Sequence, residues 1–333
     1  MKLVEFVPPL PNPLWELCPQ MGITDVIVKV NPSLTGLGDP WRYETLAQIS
    51  ERLKLAGLTV VGLEGDPFDM SPIKNFGENN CADEFAKREE TLDHYRELLV
   101  SMARLDVKLL CYNFMVGEGW ARTGVRTCRG GAKATYFSLK ETPSVGSDSL
   151  KLSHEQVWAN YEYFINAVMP TAEKCSIRMA LHPDDPCLDS LGGYARIFGS
   201  VEAYDRAYSI YPSPSNAVTF CQANFKLMLP NGSMVKTLEE AVRHFGKRIA
   251  YIHVRDVEGD KEDFTELFHD QGSTDQFALM RTYRECGIDV PVRGDHVPEM
   301  AYDRKLTGDG VPGYFTLGRL FANGYLKALL ASH

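Results

Sequence analysis

Short apolar runs alternate with amphipathic segments along this chain. Between most of the runs, apolar residues recur at helical spacing, most clearly over 83–104, 153–174 and 278–288. The link between the first two runs is short and Pro-rich, so we expect a poor helix or none there. The runs themselves are continuous rather than alternating, which is typical of strands covered on both faces. Eight runs are predicted to be strands: 3–7, 25–30, 59–65, 107–114, 177–182, 217–221, 249–254 and 290–295. Eight strands with helical crossovers predict an α/β fold, a (β/α)8 barrel formed by residues 1–333 as a single domain.

The longest stretch without a clear pattern is 115–152, which is rich in Gly, Ser, Thr and Lys. Long loops in compact domains are usually functional or disordered. We therefore expect this loop to be an active-site lid, in which Trp120 supplies apolar cover and Arg122 a charge for the substrate.

Polar residues stand at the ends of four successive predicted strands. In "YIHVRDVEG" (251–259), His253 interrupts a buried run. His182 ends the fifth run, Cys221 the sixth, and Asp295 the eighth, each about one strand–helix unit from the next. Because the carboxyl ends of barrel strands converge on one axis, these four side chains are predicted to meet. Imidazole, thiolate and carboxylate are ligands for a divalent transition metal such as Mn, Fe, Zn or Co.

Each of these residues alone has an ordinary structural interpretation. A strand-end His is often only hydrogen-bonded, a buried Cys behaves as a small hydrophobe, and an Asp can cap a helix or form an ion pair. The metal-site prediction depends on all four falling at equivalent points of successive units.

Composition restricts the partners. The chain has 333 residues, a formal net charge of −9 and a pI of about 5.5, so its surface repels nucleic acid and anionic membranes. It contains no apolar run long enough for a membrane span and no signal-peptide pattern at the first residues, which we interpret as a cytoplasmic protein. An anionic substrate would then need local cations, for which Arg255, Arg122 and Lys133 are candidates. The eight cysteines form no C-x-x-C pair and are expected to be reduced core residues.

Several motifs resemble the mannonate dehydratase family: "ALHPDDP", "TFCQ", "RGDHVP", "PGYFTLGRLFANGYLKALL", and "CYNFM" followed by "WARTG". The resemblance implies a xylose-isomerase-like barrel and a divalent metal. Mn²⁺ or Fe²⁺ is expected first, with Co²⁺ or Zn²⁺ as alternatives. By the family's pattern the metal ligands are His182, Cys221, His253 and Asp295.

The same resemblance assigns further roles. His296 and Tyr314 match the family's catalytic acid/base pair, and Arg255 and Asp256 match positions near the site. Glu64 matches the residue that ends the family's third strand, and we expect it to contact substrate.

The expected activity is that of a lyase dehydrating a sugar acid such as D-mannonate to a 2-keto-3-deoxy acid. Several loop positions, including those in "VIVKVNPSL" (26–34), depart from the family's motifs. A metal-dependent sugar isomerase or epimerase, or a lyase eliminating from a keto-sugar, therefore remains the main alternative. A hydrolase and a non-catalytic sugar-binding barrel are further alternatives, although a binding protein has no need of a His–Tyr pair. We expect the partner to be a small sugar acid or keto-sugar and the protein to be a homo-oligomer.

Overall fold

The computed structural model of the chain describes residues 1–31, 36–79, 82–142, 150–229, 235–308 and 310–332. Its main element is a parallel sheet of nine strand segments, curled into a barrel with helices outside. The strand bounds are β1 Lys2–Leu3, β2 Glu5–Val7, β3 Asp25–Val28, β4 Thr59–Glu64, β5 Leu109–Tyr112, β6 Gly124–Thr127, β7 Lys133–Ser138, β8 Arg178–Leu181, β9 Ser190–Leu191, β10 Tyr194–Ala195, β11 Asn216–Cys221, β12 Ile249–Val254, β13 Val257–Gly259, β14 Asp263–Glu266 and β15 Pro291–Gly294. All eight predicted strands are present, and the predicted (β/α)8 barrel is confirmed.

The barrel closes through its first strand, which is interrupted at Val4. Lys2 and Leu3 pair with β15, and Glu5–Val7 pairs with β3. The order of the remaining strands around the barrel is β15, β12, β11, β8, β5, β4 and β3. Because every pairing in this sheet is parallel, all carboxyl ends lie at one face of the barrel.

The helices cover the outside of the barrel. Their bounds are α1 Pro13–Gln20, α2 Tyr43–Leu55, α3 Ser71–Lys74, α4 Glu84–Arg104, α5 His154–Lys174, α6 Val201–Ile210, α7 Gln222–Met228, α8 Leu238–Phe245, α9 Gln276–Glu285, α10 Asp303–Thr307 and α11 Thr316–Ala331. Helix α5 begins with a capping box, in which Ser153 and Gln156 each accept a hydrogen bond from the other's backbone N–H.

The helix between the first two strands was expected to be poor or absent, and the structure has the eight-residue helix α1 there. Helix α1 forms there because Asn12 caps its first turn, accepting a hydrogen bond from the Leu14 N–H at 3.0 Å. Pro13 occupies the first helical position, where a missing N–H costs nothing. Pro13 therefore starts the helix, although a Pro-rich sequence suggests that no helix forms.

The stretch 115–152 contains regular structure that its composition did not predict. Strands β6 and β7 form a hairpin, and β7 pairs with β14, which pairs with β13. The result is a four-stranded antiparallel sheet beside the carboxyl face of the barrel. Residues 143–149 of the predicted lid lie outside the described residues.

The described residues form three buried apolar clusters. The largest lies between sheet and helices, and a small one fills the barrel, with Val4, Ile27, Leu109, Cys111, Ala180, Ala217, Ala250 and Tyr251. The third includes residues of the antiparallel sheet and consists of Phe137, Leu188, Leu191, Ala223, Leu227, Val257 and Phe264. In the part of the chain that the structure describes, no helix is long and apolar enough to cross a membrane. The seven cysteines among those residues are free thiols.

Candidate active site

The structure brings together the four side chains that the sequence placed at strand ends. One ligand atom from each of His182, Cys221, His253 and Asp295 lies within 4.8 Å of the others. Strand register contributes directly, since Cys221 pairs with His253 across β11 and β12. His182 and Asp295 each follow the last residue of a strand, β8 and β15.

The two imidazoles are suited to ligate a cation. His253 is fully buried, yet neither of its ring nitrogens makes an ordinary hydrogen bond; the nearest carboxylate oxygens are 3.5 Å away on Glu64 and 3.7 Å away on Asp295. His182 donates from Nδ1 to the Pro183 carbonyl at 2.8 Å, which leaves Nε2 as the nitrogen with a lone pair. Burial and the neighbouring His253 lower the pKa of His182 to about 4, so it is neutral at pH 7. Buried ring nitrogens without partners fit a metal ligand set.

Cys221 and Asp295 complete the donor set. Burial raises the pKa of the Cys221 thiol to about 12 despite the nearby Arg255, so without a cation it carries a proton, and Sγ donates to the Asn224 amide oxygen at 2.9 Å. Asp295 is also buried, but Arg293 holds the pKa of its carboxyl well below the usual range. Its Oδ1 accepts from Arg293 at 2.8 Å, while Oδ2 lies 3.9 Å from the Cys221 sulfur.

A buried ion network surrounds this cluster on one side. Arg122 contacts both oxygens of Asp185, at 2.8 and 2.9 Å, and also donates to Glu266. Arg255 lies 2.8 Å from oxygens of the same two carboxylates. Burial opposes ionisation of Glu266, but Arg255, His296 and Arg122 outweigh it and lower the pKa of this carboxyl to about 2. Arg122, Arg255, Asp185 and Glu266 are therefore all charged, and the two positive charges balance the two negative ones.

Arg293 forms a second set of ion pairs beside the cluster. Arg293 Nη2 lies 2.6 Å from Glu64, and its Nη1 reaches Asp295. Glu64, Cys111 and His253 also form a group whose ligand atoms lie within 4.8 Å of one another. Glu64 is thus held by Arg293 directly beside the cluster.

His296 is the middle of a three-residue hydrogen-bonded chain. Its Nδ1 lies 2.8 Å from Glu266, and its Nε2 lies 2.9 Å from the Tyr314 hydroxyl. Because Glu266 is ionised, Nδ1 carries the proton and Nε2 accepts from the Tyr314 O–H. Burial raises the pKa of Tyr314 well above its usual value, so the phenol is protonated at neutral pH.

These groups face a cavity of about 320 Å³. Cluster residues His182 and Asp295, the His296–Tyr314 pair and Glu64 all line it. The Trp120 ring covers one side, edge-on to His296 with ring centroids 5.2 Å apart. Such a volume suits a small polar molecule.

Four residues that were predicted to contact substrate or lie near it do not line the cavity. Arg255 and Arg122 do not line the cavity, and their guanidinium groups are engaged with Asp185 and Glu266. Asp256 points away from the cavity and accepts from Lys226 Nζ at 2.5 Å and from the Thr274 N–H at 2.9 Å. Lys133 lines a different surface cleft and donates to Thr127.

Alternation along the backbone accounts for the different placement of two neighbours. His253 and Arg255 are two residues apart and share the inward side, whereas Asp256 falls on the other side. The same rule, applied to "IHVRD", would have separated Asp256 from the site.

Sequence reasoning missed four groups of the site: Asp185, Glu266, Arg293 and Lys29. Asp185 and Arg293 stand within quoted motifs, as the second Asp of "HPDDP" and the Arg of "RGDH", and Glu266 follows "YIHVRDVEG" by seven residues. Nothing in composition or spacing marks Lys29, which follows β3 and lines the cavity.

Fold and site together define a (β/α)8 barrel with a cluster of candidate metal ligands at its carboxyl face. A family model described as D-mannonate dehydratase (UxuA) matches residues 16–152 and 147–333. The chain belongs to the mannonate dehydratase family, a metal-dependent family of sugar-acid hydro-lyases.

Individual relatives agree with this assignment. The mannonate dehydratase of Streptococcus agalactiae serotype Ia is 29% identical over 323 residues, covering 88% of this chain and 87% of that protein. Mannonate dehydratase 2 of Halalkalibacterium halodurans is 27% identical and covers 88% of each chain.

Solved structures confirm the fold. The crystal structure of mannonate dehydratase from Streptococcus suis serotype 2 superposes with a TM-score of 0.83 at 24% identity, covering 99% of this chain and 94% of that one. A D-psicose 3-epimerase gives a TM-score of 0.59 at 12% identity, with both chains covered completely.

Proposed function

We propose that this protein removes water from a sugar acid, with D-mannonate as the first substrate to test, and forms a 2-keto-3-deoxy acid. The observation that carries the proposal is the position of the Glu266–His296–Tyr314 chain directly beside the His182, Cys221, His253, Asp295 cluster, around one cavity. The curated relatives named above carry the same activity in their names.

His182, Cys221, His253 and Asp295 would hold the metal, for which Mn²⁺ or Fe²⁺ suits a mixed imidazole, thiolate and carboxylate set. A divalent cation there supplies positive charge beside the substrate oxygens on which negative charge develops. The unpartnered nitrogens of His253 and the free Nε2 of His182 support this assignment.

The hydrogen-bonded chain can move the protons that dehydration requires. His296 removes the proton from C2 of the substrate through Nε2, and Glu266 stabilises the resulting imidazolium through Nδ1. Tyr314, whose phenol is protonated at neutral pH, donates its proton to the hydroxyl that leaves C3 as water, and the imidazolium then returns a proton to the phenolate. Both residues then regain their starting protonation states, and the enol product tautomerises to the 2-keto acid.

The remaining residues position these groups. Arg293 orients Glu64 and Asp295. Arg255 and Arg122 keep the carboxyl groups of Asp185 and Glu266 ionised although both are buried. Trp120 covers the cavity and restricts water around the reacting carbons.

The test is direct. Protein loaded with Mn²⁺ or Fe²⁺ is incubated with D-mannonate, and the product is followed by NMR and by a colorimetric assay for 2-keto-3-deoxy acids. A panel of other aldonates tests the same chemistry on other stereoisomers. If no aldonate loses water while ketoses are interconverted, the site belongs to an isomerase or epimerase instead.

A further inference from the structure

The cavity contains a cationic side chain whose charge is not neutralised by any residue that the structure describes. Lys29 and Arg293 are the two cationic residues that line it. Arg293 is engaged with Glu64 and Asp295. Lys29 makes no hydrogen bond or ion pair with the described part of the chain.

Lys29 is placed by the barrel itself. It directly follows Val28, the last residue of β3, and is exposed. A Cβ atom on Gly65 would lie 3.8 Å from the Lys29 Cε, so the lysine side chain crosses the end of the neighbouring strand β4. Lys29 also lines an adjoining cleft of about 580 Å³, which shares Glu64, Gly65, Trp120 and Tyr314 with the cavity. Lys29 therefore lines the cavity next to Glu64 and Gly65, where it meets the adjoining cleft.

The charge balance of the buried groups leaves this lysine with a specific role. Four carboxylates, on Asp185, Glu266, Glu64 and Asp295, face three guanidinium groups, on Arg122, Arg255 and Arg293. This network therefore carries one net negative charge. All three guanidinium groups are engaged with these carboxylates, so the carboxylate of an anionic substrate requires a further cation.

We propose that Lys29 binds the carboxylate of the substrate and makes the site selective for aldonates over neutral sugars and polyols. This deepens the proposed function and rests on it. An ammonium group on a flexible stem contacts a carboxylate as a point charge, and such a charge-assisted hydrogen bond typically contributes a factor of ~10–100 to affinity.

The experiment compares Lys29→Met, Lys29→Arg and the parent, all loaded with Mn²⁺. Lys54→Met is the matched control, because Lys54 is an exposed lysine on helix α2 whose loss changes the net charge equally. Dissociation constants are measured by calorimetry for D-mannonate and for D-mannitol, its neutral six-carbon analogue, and KM and kcat are measured with D-mannonate. Metal content and Tm are checked for every variant.

Lys29→Met is expected to weaken D-mannonate binding and raise KM by ~10–100-fold, with a smaller change in kcat and unchanged D-mannitol binding. Lys29→Arg should restore most of the affinity, and Lys54→Met should match the parent. Equal D-mannonate affinity in Lys29→Met and the parent would overturn the proposal, as would a parent that binds D-mannitol as tightly as D-mannonate.

The two proposals fail separately. If Lys29→Met has no effect while the parent still forms the 2-keto-3-deoxy acid, only the role of Lys29 is wrong. If D-mannonate binds through Lys29 but loses no water, the binding role stands and the dehydratase activity on this substrate is wrong.

Discussion

Without a metal, the Cys221 thiol stays protonated at neutral pH. Burial raises its pKa to about 12, and its S–H donates a hydrogen bond to the Asn224 amide oxygen. A metal can bind sulfur there only as the proton leaves, while His182, with a pKa of about 4, has no proton to lose at neutral pH. Metal binding should therefore release about one proton, and that proton comes from Cys221.

The prediction at this residue concerns pH. Metal affinity of the parent should rise about tenfold per pH unit between about pH 6.5 and 8.5, because both limits lie above the pKa of His182 and below that of Cys221. Competition with a chromophoric chelator of known protonation gives the affinity, and calorimetry in buffers of different ionisation enthalpy gives the proton count. In Cys221→Ser the slope should flatten, since a hydroxyl keeps its proton, and affinity should fall. A parent whose affinity does not change with pH would exclude thiolate ligation.

Tyr314 is the end of a proton path, and its phenol contributes a single oxygen. Tyr314→Phe removes that oxygen and keeps the ring that packs near Phe6. We expect near-parental metal content and a fall in kcat of ~10²-fold or more, because the phenol is assigned to proton transfer and not to metal binding. His296→Ala should also keep the metal while losing turnover. A loss of metal content in step with activity would show that the pair supports Asp295 instead.

Antiparallel strands β6, β7, β13 and β14 contribute to the site through buried ion pairs. Glu266 ends β14, and Arg122 precedes β6. Their contact, shared with Asp185, connects the small sheet to the end of barrel strand β8. That residues 115–152 close over a bound substrate stays a prediction.

Two arginines of this segment allow a matched comparison. The side chain of Arg122 is 4% exposed and pairs with Asp185 and Glu266, whereas that of Arg126 is 35% exposed and pairs with Asp263. Arg122→Leu should lower the free energy of unfolding by about 3–5 kcal/mol, because Asp185 and Glu266 keep only Arg255 as their guanidinium partner. Arg126→Leu should cost at most about 1 kcal/mol. Urea denaturation of the two variants measures both values, and equal losses would contradict a structural role for the buried network.

The sequence predicted the barrel strands better than the elements around its face. Parallel strands are continuous apolar runs, so their positions and the polar residues ending them could be identified directly. Strand β6 is short and carries alternating intermediate and exposed residues, so it has no such run. Helix α1 depends on one cap, and the partners of Arg122 are 63 and 144 residues away. Contacts between such distant residues are set by the folded chain and leave no periodic pattern.

The two ends of the chain are joined across the barrel closure. Glu5, in the first barrel strand, is 2% exposed and accepts hydrogen bonds from Arg319 and Asn323 of the last helix, α11. The Arg319 guanidinium also donates to the Phe6 carbonyl. The first strand is split into two short segments, so this buried group is a major connection between it and the rest of the molecule. Association of whole molecules into a homo-oligomer stays a prediction.

Removing the cation from this pair should destabilise the whole molecule. Arg319→Met leaves the Glu5 carboxylate buried without its counter-charge, and we expect the free energy of unfolding to fall by about 3–5 kcal/mol. Lys327→Met is the control, because Lys327 lies on the same helix, is exposed and, among the described residues, donates to the Met21 carbonyl alone, so its loss should cost less than about 1 kcal/mol. In the double variant Glu5→Leu/Arg319→Met the buried charge is absent, so part of the lost stability should return. Urea unfolding, with m-values checked to be unchanged, is measured for the parent, for the single variants Glu5→Leu, Arg319→Met and Lys327→Met, and for the double variant. If the double variant loses the sum of the Glu5→Leu and Arg319→Met losses, Glu5 and Arg319 act independently, and the barrel closure depends on packing alone.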